Sequence, residues 1–439
     1  MKKSQLQVGL DISQKRLDVC AMRPDGEVVL SHQSFANNRN GYAGLKESLL
    51  SLLEAENLER LEIAGESTGY YWLPLYLHLA ADEAWQGYDP ALFLLNSRQV
   101  YWFKKGYAED DKTDVKDSYY VAEKLRTQRR KHHPWSADLS WLRLRFYSRM
   151  RFHIGQALTR EKNYFWSHMF LKCSAYRAYK PFGDGLGATG RQLVRQYPDW
   201  QCLSTLLPEE LTDQLAAWSH NRLSDPAANG QQLRRAVAAS YPLPPELVTA
   251  VHDLLTVTLD HIALLEKQAA RVEHWLEREV KQHHPEVNHL VNITGLGLVL
   301  AAGIAAEIGD LQRFFRGQKW DKRRQRFRPK NLRDVEDAVA KFAGLWWPRQ
   351  SSGDFEGDER RMSKKGNRFL RYYLVEAADK LRQYQPEYQA YYVRKYRETK
   401  KHQHKRALAL TARKSVGLFV GLLHRNEPYR PQEASSAQS

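Results

Sequence analysis

Cysteine is scarce in this chain: 439 residues hold only Cys20, Cys173 and Cys202, far apart, odd in number and without a CxxC pair. That excludes a disulfide framework and argues against a thiolate zinc site, so any metal is expected to be held by oxygen. Long apolar runs are missing too. The longest, Thr294 to Ile308, is broken by glycines and falls short of the roughly 20 residues that span a bilayer, so no membrane partner is expected. The chain reaches Asp11 before an export-signal core could form, which predicts a cytoplasmic setting. Negative charge is in deficit: 51 Asp and Glu face 67 Lys and Arg, a formal charge of +16. This balance suits a polyanionic partner, nucleic acid before an anionic membrane surface. With 42% hydrophobic residues, the length predicts two or three folded domains rather than a disordered chain.

Against that basic background four acids stand out. They are Asp11 in Val8-Gly9-Leu10-Asp11-Ile12-Ser13, Glu66 in Ala64-Gly65-Glu66-Ser67-Thr68-Gly69, and Asp114 and Asp117 in Lys112-Thr113-Asp114-Val115-Lys116-Asp117. Strand-like runs at Leu6 to Leu10, Leu17 to Met22 and Val28 to Phe35 predict an antiparallel meander. A helix from Gly41 to Glu54, a strand from Leu61 to Glu66, a helix from Tyr70 to Ala81, a strand from Ala91 to Leu95 and a helix carrying Asp114 and Asp117 are expected to follow. This is an α/β layer. Asp11 and Glu66 then end strands, while Asp114 and Asp117, three apart, share one helical face. Acids gathered at one sheet edge repel unless a hard cation neutralises them, and Mg²⁺ (or Mn²⁺) takes carboxylate oxygens with water or phosphate completing its shell. Two such ions about 3.5–4 Å apart can clamp a phosphodiester. Taken singly, each acid reads better as a cap, a turn residue or a surface charge, as do Asp110 and Asp111; taken as an ordered set they do not.

From Arg129 to Ser174 the pattern turns helical, basic and aromatic, mixing Arg129, Arg130, Lys131, Arg143, Arg145, Arg149, Arg151, Arg160 and Lys162 with residues such as Trp141, Tyr147, Phe152, Phe165 and Trp166. Cations beside stacking rings suit RNA; the plainer alternative is an amphipathic helix with its rings in the core. Residues 175 to 245 carry no chemical signal. Val251, Leu255, Thr258, Ile262, Leu265, Ala269, Val272 and Leu276 then recur at spacings of four and three, the seam of a coiled coil or a long helical hairpin. Further on, Ile293-Thr294-Gly295-Leu296-Gly297 precedes a helix. Glycines there allow either backbone approach to a phosphate or tight helix packing. The tail after Arg425 reads as disordered.

A second group of residues lies at Trp347-Pro348-Arg349-Gln350-Ser351-Ser352-Gly353 and Arg360-Arg361-Met362-Ser363-Lys364-Lys365-Gly366-Asn367. A loop serine beside glycine is unhindered, and nearby cations could hold a phosphate for its hydroxyl. The composition alone fits a plain loop followed by a helix capped at Ser363.

Those motifs, with Thr294-Gly295-Leu296-Gly297 and Phe342-Ala343-Gly344-Leu345, occur in an order that resembles the DEDD transposases of insertion sequences, a family related to the Piv-type site-specific DNA invertases and described as bridge-RNA-guided recombinases. The resemblance runs from about residue 6 to 425. It implies a fold class of α/β plus α: an N-terminal RuvC-like domain of RNase H fold (1–132), a helical coiled-coil region (133–285), a C-terminal, mostly helical transposase domain (286–424) and a disordered tail (425–439). It implies that Asp11, Glu66, Asp114 and Asp117 bind metal and that Ser352 is the nucleophile joined to DNA, with Ser351 the alternative. The implied partners are DNA (element ends and target), a noncoding guide RNA, and further copies of the chain as a dimer or tetramer whose sites combine one subunit's RuvC-like domain with another's serine. Two segments depart from the family pattern: Arg316 to Arg333 and the central region 175 to 245 are longer and more basic than usual. A metal-dependent junction nuclease and a non-catalytic nucleic-acid-binding protein are the rival readings.

Overall fold

The structure is a computed structural model that describes residues 5–107, 114–128, 133–136, 138–348, 351–352, 355–356, 361–398 and 400–430, and for 114, 115, 351, 352, 355 and 356 the backbone alone. Asp110, Asp111, Lys112, Thr113, Arg129, Arg130, Lys131, Arg349, Gln350, Gly353, Arg360 and the tail from 431 lie outside it. The chain divides into two compact units, 1–138 and 139–439.

The first unit is a mixed five-stranded sheet in the order β3-β2-β1-β4-β5, with β1 Gln5–Ile12, β2 Arg16–Met22, β3 Val28–Ala36, β4 Arg60–Glu66 and β5 Ala91–Leu95. The first three strands form the expected meander, and β4 and β5 join in parallel through crossover helices. Helix α1 (Arg39–Ala55) starts at Asn38, whose side chain accepts from the Gly41 amide. It buries Tyr42, Leu45, Leu49 and Leu53, one stripe at helical spacing. Helix α2 (Leu73–Ala81) and α3 (Ser97–Lys104) flank β5, and α4 (Asp114–Gln128) covers one sheet face, with Val121 and Leu125 against Ala64 and Phe93. This topology is consistent with the RuvC-like domain that the resemblance implies.

The second unit is mostly helical. Helix α5 (Leu139–Lys172) is followed by short helices α6 (Tyr176–Tyr179), α7 (Ala188–Gln196), α8 (Pro208–Trp218) and α9 (Pro226–Ala238), and then by α10 (Pro245–His283). The heptad-like positions of α10 are buried or half-buried, and ion pairs Arg143–Glu279, Arg151–Glu273 and Lys162–Glu266 fix α5 antiparallel beside it. The seam thus has a partner within the same chain: a long helical hairpin. Residues 173–244, mute in sequence, fold over its far end around Trp200, Leu211, Leu215 and Leu233.

The basic aromatic helix α5 mainly serves this packing. Phe165 is buried, Phe152 packs on Phe369 and Tyr372, and Arg149 pairs with Glu307. Of its aromatics, Phe146, Tyr164 and Phe170 stay exposed, but the rest pack, so α5 is largely the amphipathic core helix of the plainer alternative.

The C-terminal core joins α11 (Asn288–Val291), α12 (Gly297–Ile308), α13 (Gln312–Phe315), α14 (Leu332–Ala343), α15 (Arg368–Tyr384), α16 (Pro386–Arg397) and α17 (Gln403–Arg425), with ladders β6–β7 (Gln318–Asp321, Arg326–Pro329) and β8–β9 (Ser351–Ser352, Phe355–Glu356). Gly295, at φ +93°, meets the Tyr384 ring, where a Cβ would fall 2.4 Å from a ring carbon. Tight packing therefore accounts for that glycine. By length and composition α10 and α17 would pass as membrane spans, but both bury an apolar stripe inside the fold.

Candidate functional site

Three of the four acids meet on one face at one edge of the sheet, and local sequence explains how. In β1, residues 7, 9 and 11 share a face. Gly9 lies beneath α4 so closely that a Cβ would stand 2.2 Å from the Ser118 carbonyl and 2.4 Å from the Ala122 amide. The missing side chain lets α4 lie on the strand, one turn from Asp117. The parallel register Leu10↔Gly65 sets Glu66 beside Asp11. Asp114 opens α4 one turn ahead of Asp117, and its side chain lies outside the described residues.

Charge confirms the crowding. Burial pushes Asp11 up to about 6, helped by the negative charges of Asp117, Glu66 and Asp18 and opposed by Lys104. Lys104 is the residue that sequence reading missed. Its Nζ lies 2.9 Å from Asp117 Oδ1 and 3.3 Å from Glu66 Oε1. Burial disfavours its charge, but the two carboxylates outweigh burial and hold its pKa above the ordinary value. No local pattern marks it: Lys104 ends α3, and only the turn after β5, capped by Asn96, aims that helix back over Glu66. Asp18 is likewise an unforeseen neighbour, paired across the ladder with Asp11 and bonded to His32 at 3.0 Å.

Among the described residues no three acid, histidine or cysteine side chains stand together as a metal site. Lys104 occupies the place between Glu66 and Asp117. The donor chemistry nevertheless fits a hard cation, because oxygen donors from separate elements are already gathered about a positive charge.

The serine segment is built differently. Ser351 and Ser352 form β8, paired with Glu356 and Phe355 of β9; their side chains lie outside the described residues. The stem beneath is well defined. Ser363 donates its amide to the Trp346 carbonyl at 2.9 Å, Lys364 to Gly344 at 3.3 Å and Asn367 to Phe342 at 2.7 Å. The Arg371 guanidinium donates to the carbonyls of Ala343 and Lys364 at 2.9 and 3.0 Å. Gly366 must be glycine here: at φ +152° a Cβ would sit 2.3 Å from the Phe342 carbonyl. The motifs Phe342–Leu345 and Ser363–Asn367 are thus two halves of one clamp.

The cap of α15 corrects one expectation. Asn367, not Ser363, accepts from the Phe369 and Leu370 amides; Ser363 sits too early, in the clamp. Asn367 Nδ2 also donates to Glu307 Oε2 at 2.6 Å, and Arg149 grips Glu307 through two bonds of 2.7 and 2.9 Å. Glu307 is fully buried. Its sequence signal was available, a lone acid in the apolar helix α12.

Two family models match the chain. One for DEDD transposases of the IS110 type matches residues 8–171, which include all four acids. The other, for the transposase IS116/IS110/IS902 family, matches residues 330–393, which include Ser351, Ser352 and the clamp. No curated protein matches the chain.

Proposed function

We propose a strand-exchange function on one premise: this chain belongs to the IS116/IS110/IS902 family of transposases, enzymes that cleave and recombine DNA. The observation that carries the proposal is the convergence of Asp11, Glu66 and Asp117 about the Lys104 ammonium at the end of β1 and β4. DEDD transposases depend in general on divalent metal; here Mg²⁺ or Mn²⁺ would be held by Asp11, Glu66, Asp114 and Asp117. When bound, it would stabilise negative charge on the scissile phosphate.

The chain's own residues supply the rest. The acids, placed on one rigid face, would fix the position of a cation and with it the place where the phosphate is received. The Ser352 hydroxyl, with Ser351 the alternative, attacks phosphorus as one strand oxygen leaves, the serine giving up its proton and the leaving oxygen gaining one, so that one phosphate ester is exchanged for another. A hydroxyl on the incoming strand then displaces the serine. Because each step makes one ester as it breaks another, no external energy source is needed. The active unit is a dimer or tetramer acting on element ends and target in the cytoplasm, directed by a noncoding guide RNA.

The reading is tested by substitution at both ends, assayed as rearrangement of plasmid DNA. Asp11→Asn is expected to lower exchange by about a thousandfold or more; full processing by that variant would refute the metal role. Ser352→Ala and Ser351→Ala identify the nucleophile, and exchange retained by both would refute the serine mechanism. The rival junction nuclease has one observation in its favour, that the acids gather within a single unit. It predicts that Ser352→Ala leaves both cutting and product distribution unchanged. Defined cutting or rearrangement by the wild type rejects a binding-only protein. Sequencing the nucleic acid that copurifies tests the guide: an RNA complementary to two DNA sites is expected.

A further inference from the structure

The segment between the two matched regions contains a β-hairpin with an unusual division of faces. Strands β6 and β7 pair Lys319 with Arg328 and Trp320 with Phe327. On one face, Lys319 and Arg328 each reach an oxygen of buried Asp334 at 2.6 Å. Asp334 belongs to the capping box that starts α14, and the Arg328 guanidinium, outweighing the effect of burial, holds its carboxyl well below the usual range. The hairpin is therefore anchored to the core through its inner face. Its tip is also ordered: Asp321 Oδ1 accepts from the Arg323 and Arg324 amides at 3.0 and 3.2 Å.

The outer face is the reverse. Trp320 is 43% and Phe327 62% exposed, with ring centroids 5.0 Å apart and planes at 69°. Two large rings kept in water on an anchored scaffold cost solvation and contribute nothing to the core. At the tip beside them stand exposed Lys322 and Arg323, whose side chains make no hydrogen bond or ion pair with any described residue. Such a pair of cations repels a second copy of itself and attracts a polyanion.

We propose that this hairpin binds unpaired DNA, stacking bases on Trp320 and Phe327 while Lys322 and Arg323 at its tip neutralise the flanking phosphates. Bases inside a duplex bury their faces against one another, so a ring platform gains chiefly from unpaired ones. Gln318 alone adds a hydrogen-bonding side chain to the outer face of the strands, which leaves little to read an RNA 2′-hydroxyl. The choice of DNA rests on membership of the transposase family and is independent of the serine mechanism. Strand exchange must expose unpaired nucleotides, and an anchored hairpin can hold them without adding a catalytic group.

The test uses the full chain carrying Asp11→Asn, so that binding is read without cutting and a failure of the catalytic reading does not enter. Fluorescence anisotropy is measured with a labelled 15-nucleotide DNA strand, the RNA strand of the same sequence and a blunt DNA duplex. Trp320→Ala/Phe327→Ala should weaken the DNA strand roughly thirtyfold or more, as expected for the loss of two stacked bases, and leave the duplex within about twofold. Trp320→Phe/Phe327→Tyr should restore binding, with unchanged circular dichroism and melting in both variants. Lys322→Gln/Arg323→Gln should reduce the slope of log affinity against log salt by about 1.4. Binding of the DNA strand unchanged by the double alanine variant would overturn the proposal. So would parallel loss of strand and duplex, or RNA bound in preference to DNA and lost with the rings.

Discussion

The acid-bearing edge of the sheet and the serine-bearing segment are held by opposite means. At the sheet, strand register and a bare Gly9 fix where carboxylates stand, and a lysine separates two of them. In the C-terminal core, precision is lodged beneath the serines, in a clamp whose amides, glycines and buried Glu307 close the stem below a two-residue ladder. Like charges need a scaffold stiff enough to resist their repulsion. A nucleophile that must meet a strand needs a fixed base and a reachable tip.

Breaking the clamp should have the largest effect on stability. Glu307→Gln takes the carboxylate from Arg149 and leaves one acceptor oxygen where two served Arg149 and Asn367, and urea denaturation should show a loss of about 3 kcal/mol, the low end for a broken buried pair because Arg149 keeps some solvent. Metal binding measured by calorimetry should not change, while strand exchange should fall. An unaltered midpoint would mean that the clamp does not depend on this charge.

Gly9→Ala inverts that pattern. The new methyl forces α4 off β1, at about 1–3 kcal/mol, and metal binding should fall with exchange. If calorimetry shows wild-type metal affinity, close helix approach is not what assembles the acids.

The acids can also be read by pH in metal-free buffer. Asp11 titrates at about 6 in the fold against an ordinary 3.8, so its neutral form stabilises the fold fully below about pH 4, and that contribution is lost as pH rises through about 6. Asp11→Asn should therefore match the wild type near pH 4, gain on it up to about pH 6 and then hold a constant advantage of no more than about 3 kcal/mol. A constant difference across the whole range would place Asp11 away from the other acids. The smallest effect is expected from Lys104→Met, about 1 kcal/mol without metal. Added Mg²⁺ should raise the melting temperature of this variant more than that of the wild type, and equal shifts would show that Lys104 does not share the ion's place.

Much of the fold was legible because its patterns are local. The meander, strand β4 and the seam of α10 follow from alternation and helical spacing, which need no knowledge of distant residues. Lys104 was not legible, since its meaning depends on a crossover that returns α3 to β4. The arginines of α5 stayed ambiguous for the same reason: a cation on a helix shows its charge in sequence but not the glutamate of α10 or α12 that answers it.

By itself the sequence determined which residue types were available: oxygen donors in place of thiolates, glycines where backbones must touch, and an excess of positive charge. The tertiary structure decided which of those charges are satisfied inside the protein and which remain for a partner. Arg149 and Arg323 look alike in sequence, but one is bound to Glu307 and the other extends from an anchored hairpin tip. The physical reason is range. Backbone preference acts over a few residues, whereas the solvation and pairing that fix a charge's role depend on every element folded against it.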